Sequence, residues 1–302
     1  DSFIRGRPKW LKEISEKRTK FHVKKVDVSS FKIPNKYNFD YIIHSASIAS
    51  PSFYRKYPIE TMDANVWGLR NLLNFSLIKS KTKKNIKGFL YFSTSEIYGN
   101  PDNANIPTKE NYNGNVSCVG PRSSYDESKR FGETLCINFS QQYKLPIKIV
   151  RPFNNYGPGL KLKDKRLFPD IMNNILNNKD ITIFSDGSPT RTFCYIADAI
   201  HGYLNVLIKG KSGNYYNIGY DKDEISVVEL AKKIKKISSK IINFDPKIKV
   251  KKSKDKNYLI DNPLRRCPNI SKARKEIKYN PKINLDEGIL RTFQWYRSNM
   301  KF

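Results

Sequence analysis

The sequence of 302 residues has no apolar run of the roughly 18 residues that a membrane helix requires, and it does not open on a signal peptide. Its four cysteines and three histidines show neither CxxC pairs nor metal-ligand spacing. These absences argue against a membrane span, a disulfide framework and a zinc site. The sequence therefore predicts a soluble, cytoplasmic protein without a metal, in which the cysteines are packing residues.

Acidic residues are also scarce, since 28 Asp and Glu stand against 56 Lys and Arg and give a formal charge of +28. Such an excess of positive charge can indicate a nucleic-acid partner. The lysines are spread along the chain, however, with local runs only at residues 81–84 and 247–256, and no DNA- or RNA-binding motif accompanies them. We interpret most of the charge as a solvated surface and a smaller part as serving a doubly anionic substrate. We predict neither a nucleic-acid partner nor a membrane partner.

The most informative stretch lies near the middle of the sequence. An apolar strand at residues 88–92 ends in Ser-Thr-Ser-Glu at residues 93–96. A polar loop then leads to a helix that starts near Ser124, where Ser124 and Glu127 are spaced as a capping box. A buried strand thus ends at a cluster of hydroxyls and one carboxylate, followed by the start of a helix.

A Tyr-x-x-x-Lys pair opens that helix. Tyr125 and Lys129 are four residues apart and share one face of it. A neighbouring ammonium stabilises a phenolate, which predicts a lowered pKa for Tyr125. Thr94 and Tyr125 could then hold one alcohol between them while Lys129 tunes the proton transfer. Because Tyr and Lys are both abundant here, the pair is a weak signal without its context.

This arrangement resembles the extended short-chain dehydrogenase/reductase family, the NAD-dependent nucleotide-sugar epimerases, dehydratases and decarboxylases, over nearly the whole chain. The resemblance implies an α/β fold in which a Rossmann-like doubly wound parallel sheet carries a smaller α/β substrate-binding domain. It implies an NAD-binding domain at residues 1–157, with 192–210 packing back on it, and a nucleotide-sugar-binding domain at 158–191 and 211–302. It also implies NAD as cofactor, a nucleotide-sugar substrate that is UDP-linked, and a homodimer.

The beginning of the chain resembles the family segment that follows the second strand, in which an acidic residue, here Asp1, hydrogen-bonds the adenosine ribose. The sequence contains no G-x-G-x-x-G motif. The resemblance therefore predicts that the first strand and its glycine-rich phosphate loop are missing. It further predicts that this fragment binds NAD weakly or not at all and tends to aggregate, and that an upstream strand carrying GxxGxxG rescues both.

The resemblance assigns roles to individual residues at strand ends and on nearby helices. The residues with implied cofactor contacts are Asp1, Asp27, Val28, Ser45, Ala46, Ser47, Asn65, Tyr125 and Lys129. The residues with implied substrate contacts are Ala49, Tyr54, Thr94, Ser95, Arg122, Asn154, Arg191 and Arg266. The residues with implied catalytic roles are Thr94, Glu96, Tyr125, Lys129 and Arg266. Arg191 is a candidate phosphate ligand, because a guanidinium forks onto phosphate oxygens.

Two side chains discriminate among the activities of the family. Ser95 stands where the family's 4,6-dehydratases carry an aspartic acid, and a serine is far too weak an acid to replace it. Glu96 argues against the simple 4-epimerases, which generally lack this carboxylate. The pattern most resembles the UDP-glucuronate decarboxylases, which implies C4 oxidation, decarboxylation and re-reduction to UDP-xylose, or release of the 4-keto intermediate. A 4-epimerase, a 4,6-dehydratase and a non-catalytic nucleotide-sugar-binding protein remain as alternatives.

Periodicity and turn residues predict further elements. The predicted helices span residues 8–16, 61–77, 192–208, 226–237 (with Ser226 and Glu229 as a capping box) and 285–298. The predicted strands span residues 20–28, 39–44, 147–151 and 215–219, and residues 181–191 are hairpin-like.

Overall fold

The computed structural model describes residues 1–82, 85–251, 253, 255, 257 and 260–299, so both lysine runs lie partly outside the described residues. Within these ranges the helices are α1 (Lys9–Lys17), α2 (Pro51–Tyr54), α3 (Pro58–Ser80), α4 (Ser123–Tyr143), α5 (Leu167–Leu176), α6 (Ile196–Lys209), α7 (Val227–Ser238), α8 (Ser271–Ile277) and α9 (Leu285–Asn299). The strands are β1 (Tyr41–His44), β2 (Gly88–Phe92), β3 (Ile147–Pro152), β4 (Asn155–Tyr156), β5 (Ile181–Ile183), β6 (Thr190–Arg191), β7 (Cys194–Tyr195), β8 (Asn214–Ile218), β9 (Ile225–Ser226), β10 (Ile248–Val250) and β11 (Arg265–Arg266).

The principal sheet has the strand order β1-β2-β3-β8, and all of its strands are parallel. Successive side chains of a strand point to opposite faces. Phe89 and Tyr91 accordingly pack on α3 and α4, whereas Leu90 packs on α6 and α8. Both faces of the sheet are covered by helices, as in doubly wound proteins. The predicted α/β fold with a doubly wound parallel sheet is confirmed.

A second apolar core is formed by α5, α7 and α9 around β5. Helix α7 begins with the predicted capping box: the Ser226 hydroxyl accepts from the Glu229 N–H at 3.2 Å, and the Glu229 carboxylate accepts from the Ser226 N–H at 2.9 Å. The predicted helices at residues 8–16, 226–237 and 285–298 are confirmed to within a residue at each end.

Two predictions about strands are wrong. Residues 20–28 form no strand: the Val26 N–H donates to the Asp1 carbonyl at 3.1 Å, but a strand requires a ladder of such bonds. Residues 181–191 form no hairpin, since β5 pairs with β10 while β6 lies between β11 and β9. Their partners lie more than 30 residues away in the sequence, where local patterns give no signal.

The predicted boundary at residue 211 and the predicted cap of α4 also need correction. Strand β8 lies beyond that boundary, yet it pairs with β3 in the principal sheet. Helix α4 begins at Ser123, and Arg122 occupies its N-cap without a side-chain cap bond, so Ser124 lies inside the helix. The Arg122 side chain is instead directed at Glu96.

Candidate functional site

The turn that follows β2 brings the candidate catalytic groups to the carboxyl edge of the principal sheet. Thr94 caps a 3-10 helix, Ser95–Tyr98, and its hydroxyl accepts from the Glu96 N–H at 3.2 Å. Helix α4 lies beside this turn and presents Tyr125 and Lys129 to it. The Lys129 ammonium donates to the Phe92 carbonyl at 2.7 Å and lies 5.9 Å from the centre of the Tyr125 ring.

Tyr125 is buried in this edge. Its ring stacks on Tyr54 with 5.1 Å between the ring centres and 10° between the planes. Burial raises the pKa of Tyr125 above its ordinary value and outweighs the hydrogen bond with Thr94, which lowers it. The predicted lowering of this pKa is therefore wrong. Burial also lowers the pKa of Lys129 to about 7, so the ammonium charge that would stabilise a phenolate is only partly present at neutral pH.

Glu96 lies between two guanidiniums. One of its carboxylate oxygens contacts Arg266 and the other contacts Arg122. Burial opposes ionisation of Glu96, but the charges of Arg122 and Arg266 hold its pKa well below the usual range. Arg266 is 4% exposed and also donates to the Ser95 hydroxyl at 3.2 Å and to the Gly99 carbonyl at 3.3 Å. The carboxylate and Arg266 are thus fixed by several contacts.

Asp126 and Arg191 extend this cluster. The Asp126 carboxylate lies 3.6 Å from Arg122 Nε, and burial together with the charge of Glu96 raises the pKa of Asp126 to about 7. Arg191 is the register partner of Arg266, and burial and the charge of Arg266 lower the pKa of Arg191 to about 9. We call Glu96, Arg122, Asp126, Arg191 and Arg266 the arginine cluster. Its three guanidiniums exceed its two carboxylates, so it carries an excess of positive charge.

The Arg191 guanidinium makes several hydrogen bonds within the protein, more than its predicted role as a phosphate ligand requires. Its guanidinium donates to the carbonyls of Thr190 at 2.7 Å, Pro263 at 2.5 Å and Leu264 at 3.1 Å. Asn154 has φ of +32° and donates to the Thr192 carbonyl at 3.1 Å. Both side chains therefore help to hold the chain segments that carry the arginine cluster.

The predicted cofactor residues fall into two groups. Ser45, Ala46 and Ser47 follow β1, and the Asn65 amide donates to the Ser128 hydroxyl of α4 at 2.8 Å, beside Tyr125 and Lys129. Asp1 and Asp27 instead close local turns, accepting from the N–H groups of Phe3 at 2.6 Å and Ser29 at 2.9 Å. Val28 packs on α3 at Gly68, where an added Cβ would lie 2.6 Å from Val28 Cγ1.

Two carboxylates near the site, Asp126 and Asp164, were missed by sequence reasoning. Asp126 follows Tyr125 directly, and its spacing of four residues from Arg122 was a usable signal of an ion pair on one helix face. Asp164 is buried and contacts Arg166, whose charge acts on Tyr125. No local pattern relates Asp164 or Arg166 to Tyr125, because the contact is made by tertiary folding.

Among the described residues, buried polar atoms without hydrogen-bond partners lie beside these groups. In the described part of the chain, the buried Ser47 Oγ, Asn65 Oδ1 and Ser93 Oγ atoms have no hydrogen-bond partner. A buried polar atom without a hydrogen-bond partner costs about 1–3 kcal/mol. A ligand that supplies the missing hydrogen bond removes this cost. These atoms lie at the ends of β1 and β2 and on α3, the edge where doubly wound sheets bind dinucleotides. The residues present therefore fit NAD on this side.

The described residues form neither a metal-binding cluster nor a membrane-spanning helix. The described residues contain no group of three or more His, Cys, Asp and Glu side chains that could hold a metal ion. No helix within the described ranges is long and apolar enough to cross a membrane.

Known sequences and structures similar to this chain agree on its family. The sequence matches the NAD dependent epimerase/dehydratase family over residues 11–219. It is 36% identical over 250 residues to the UDP-glucuronic acid decarboxylase 3 of Arabidopsis thaliana, a match that covers 83% of this chain and 68% of that protein. It is 33% identical over 302 residues to the UDP-glucuronic acid decarboxylase 1 of the same plant, with coverage of 99% and 64%.

Two solved structures share the fold. The UDP-glucose 4-epimerase of Thermotoga maritima, solved with UDP-glucose, superposes with a TM-score of 0.81 at 21% identity, covering 100% of this chain and 90% of that one. The dTDP-glucose 4,6-dehydratase of Streptomyces venezuelae, solved with NAD bound, gives 0.82 at 22% identity, covering 99% and 86%. The sequence matches show that the chain belongs to the NAD dependent epimerase/dehydratase family, whose cofactor is NAD, and the two structures share its fold.

Proposed function

We propose that this protein decarboxylates UDP-glucuronate at C6 and forms UDP-xylose or its 4-keto intermediate. The observation that carries the proposal is the arginine cluster, in which Arg122 and Arg266 flank Glu96 and leave an excess of positive charge in a buried site. A buried excess charge attracts an anion, and a uronate carboxylate supplies one. The decarboxylase names of the plant relatives support the same activity.

Tyr125 is proposed to remove the proton of the C4 hydroxyl, which it holds together with Thr94. NAD, when bound, would supply the hydride-transfer chemistry at C4. The Tyr125 phenol resists ionisation in this buried position, so ligand binding must lower its pKa before it can act as the base. Lys129 contributes a positive charge for that purpose whenever its amine is protonated.

The arginine cluster is proposed to hold the C6 carboxylate. A ketone at C4 lies beta to that carboxylate, so carbon dioxide leaves with formation of an enolate rather than an unstabilised carbanion. Glu96 orients the ring, and Arg122 and Arg266 bind the carboxylate. Ser95 accepts a hydrogen bond from Arg266, which supports a positioning role and not the acid role of the dehydratases.

The remaining assignments belong to the same proposal. Ala49, Tyr54 and Asn154 face the substrate, and Arg191 binds its diphosphate. Asp1, Asp27, Val28, Ser45, Ala46, Ser47 and Asn65 hold NAD. We further propose an NAD-binding unit at residues 1–157, extended by 192–210 and by β8, and a nucleotide-sugar-binding unit formed by the other residues after 157.

The direct test is to incubate the protein with NAD and UDP-glucuronate labelled at C6 and to measure labelled carbon dioxide. We expect release that requires Tyr125 and is absent with UDP-glucose. Turnover of UDP-glucose to UDP-galactose without any release from UDP-glucuronate would instead identify a 4-epimerase. Binding of both sugars without turnover of either would identify a non-catalytic binding protein.

A homodimer in the cytoplasm completes the proposal. Ile59, Met62 and Trp67 of α3 are 63%, 43% and 59% exposed, and Phe131 of α4, which packs against α3, is 51% exposed. Adjacent exposed apolar side chains are typical of a subunit interface. All four cysteines are free, as expected in a reducing compartment. We expect the mass measured by light scattering to fall from that of a dimer to that of a monomer on Trp67→Glu, and an unchanged mass would exclude this interface.

A further inference from the structure

The proposed reaction requires a proton at C5. When carbon dioxide leaves, the C5–C6 bond breaks and its electron pair passes into the enolate formed by C5, C4 and the C4 oxygen. Protonation of C5 then forms a C5–H bond and restores the ketone. Conversion of an anionic uronate into a neutral pentose and carbon dioxide therefore consumes one proton per turnover. A guanidinium is a poor source of that proton, because it stays protonated in proteins.

Asp126 is the carboxyl group of the arginine cluster that has no assigned task. It is 4% exposed, and its Oδ1 atom has no hydrogen-bond partner in the part of the chain that the structure describes. Its Oδ2 atom is 3.6 Å from Arg122 Nε, a separation longer than a hydrogen bond. Asp126 therefore lies inside the cluster but is not held there by a close ion pair, in contrast to Glu96.

The groups that act on Asp126 come from several elements. Arg122 caps α4 and Tyr125 lies on it. Glu96 acts from the 3-10 helix, Arg266 from β11 and Tyr54 from α2. Two carboxylates in one buried site do not ionise with equal ease. Glu96 takes the close contacts with both guanidiniums and stays ionised, so Asp126 is the carboxyl that gains a proton more readily.

We propose that Asp126 takes up a proton when the substrate carboxylate binds and that this proton is the one C5 receives. The inference rests on the proposed function. A third carboxylate entering the cluster adds negative charge and competes for Arg122 and Arg266, which favours protonation of Asp126. After decarboxylation the O–H bond of Asp126 breaks, its proton passes to C5, and the carboxylate that remains is reprotonated in the next binding event. The proton consumed in each turnover thus enters from solvent with the substrate.

Proton uptake can be measured without turnover. Calorimetric titration of UDP-glucuronate at pH 8 into the protein with NADH, which cannot accept a hydride from C4 and so blocks turnover, counts the protons taken up on binding when it is repeated in buffers of different ionisation enthalpy. At this pH free Asp126 is mostly ionised, and we expect uptake of about one proton with UDP-glucuronate and much less with UDP-glucose. Asp126→Asn should abolish the difference between the two sugars. Equal uptake by this variant and the wild type would overturn the proposal.

Matched variants separate this role from a loss of folding. Glu127→Gln removes a carboxylate from the same helical turn, where Glu127 pairs with Arg130 at 3.6 Å outside the arginine cluster, and should keep the uptake. Asp126→Glu keeps a titratable carboxyl and should keep it as well. Loss of the uptake in either variant would contradict the assignment to Asp126.

Turnover provides a second readout. We expect Asp126→Asn to lower kcat by about 10- to 100-fold, with a KM changed less than kcat, and to remove the decline of kcat at alkaline pH. Asp126→Glu should restore part of kcat, and a wild-type pH profile in Asp126→Asn would overturn the proposal. Absence of carbon dioxide release by the wild type would reject the proposed function, whereas proton uptake on binding would still be measured by calorimetry.

Discussion

The arginine cluster and the ends of β1 and β2 lie at the same edge of the principal sheet but differ in how their polar groups are satisfied. In the cluster, the Glu96 carboxylate contacts both Arg122 and Arg266, and Arg266 has further partners, although Asp126 Oδ1 has no hydrogen bond in the described part of the chain. At the strand ends, Ser47 Oγ and Ser93 Oγ are buried without partners in the described part of the chain. A buried charge without a partner costs far more than a buried hydroxyl. The ion pairs of the cluster must therefore be present in the ligand-free protein, whereas the hydroxyls can gain hydrogen bonds when a ligand binds.

Removal of Glu96 should produce the largest effect, and it should act on stability. Glu96→Ala leaves Arg122 and Arg266 as buried charges without their shared carboxylate, so we expect the free energy of unfolding to fall by about 3 kcal/mol. Chemical denaturation measures this change. Glu287→Ala is the control, since it removes an exposed carboxylate paired with Arg291 and should cost little. A Glu96→Ala protein as stable as this control would remove the contrast between the two regions.

The pH dependence of stability tests the same pair of contacts. The pKa of Glu96 is lower in the folded state than its unfolded value of about 4.3, so its contribution is present above that value. This contribution to stability is lost as the pH falls through the pKa that Glu96 has in the folded protein. Glu96→Gln should therefore flatten the decline of stability below about pH 4.3, and an unchanged acid profile would contradict the ion pairs.

Loss of the Tyr125 hydroxyl should abolish most of the activity while leaving the fold intact. Tyr125→Phe keeps the ring that stacks on Tyr54 but removes the proton acceptor. We expect kcat to fall by about 100-fold or more, within the range of general bases. Steady-state rates and the melting temperature should be measured together. Near-normal turnover would remove Tyr125 from the mechanism.

Arg266 and Arg191 should differ in the kinetic constant that they affect. Arg266→Ala removes a contact to Glu96 and should depress kcat as well as raise KM. Arg191→Ala should mainly raise KM by weakening phosphate binding, with some loss of stability because Arg191 also holds the carbonyls of Pro263 and Leu264. Arg291→Ala, an exposed substitution on α9, is the control. Identical effects of the first two variants would contradict this division of roles.

Substitutions at the strand ends should have the smallest effect and should act on binding alone. Ser47→Ala removes a hydroxyl that has no partner in the ligand-free protein, so the melting temperature should not fall. We expect NAD affinity to decrease by about 3- to 10-fold, the value of one hydrogen bond. Calorimetric titration with NAD checks this. Loss of stability without loss of affinity would show that Ser47 serves the fold instead.

The sequence predicted those features that depend on local spacing. The strand at 88–92, the shared helix face of Tyr125 and Lys129, and the capping box of Ser226 each follow from residues a few positions apart. The direction of the Tyr125 pKa shift did not follow, because burial is a property of the whole fold and exceeds the effect of a nearby ammonium.

The other wrong predictions concern contacts between residues that are distant in the sequence. Arg122 was expected to precede a helix capped by Ser124, but Glu96 from a different element holds its side chain. The spacing of four residues between Arg122 and Asp126 was a local signal, but only the tertiary contact of Arg122 with Glu96 makes this pair part of the cluster. Strand β8 was assigned beyond the domain boundary because its pairing with β3 joins residues more than 60 positions apart.

Release of carbon dioxide from UDP-glucuronate tests the central claim most directly. The account predicts that the protein, supplied with NAD, liberates labelled carbon dioxide from C6-labelled UDP-glucuronate, and that Tyr125→Phe reduces the rate by about 100-fold. Binding of UDP-glucuronate and NAD without any labelled carbon dioxide would contradict it.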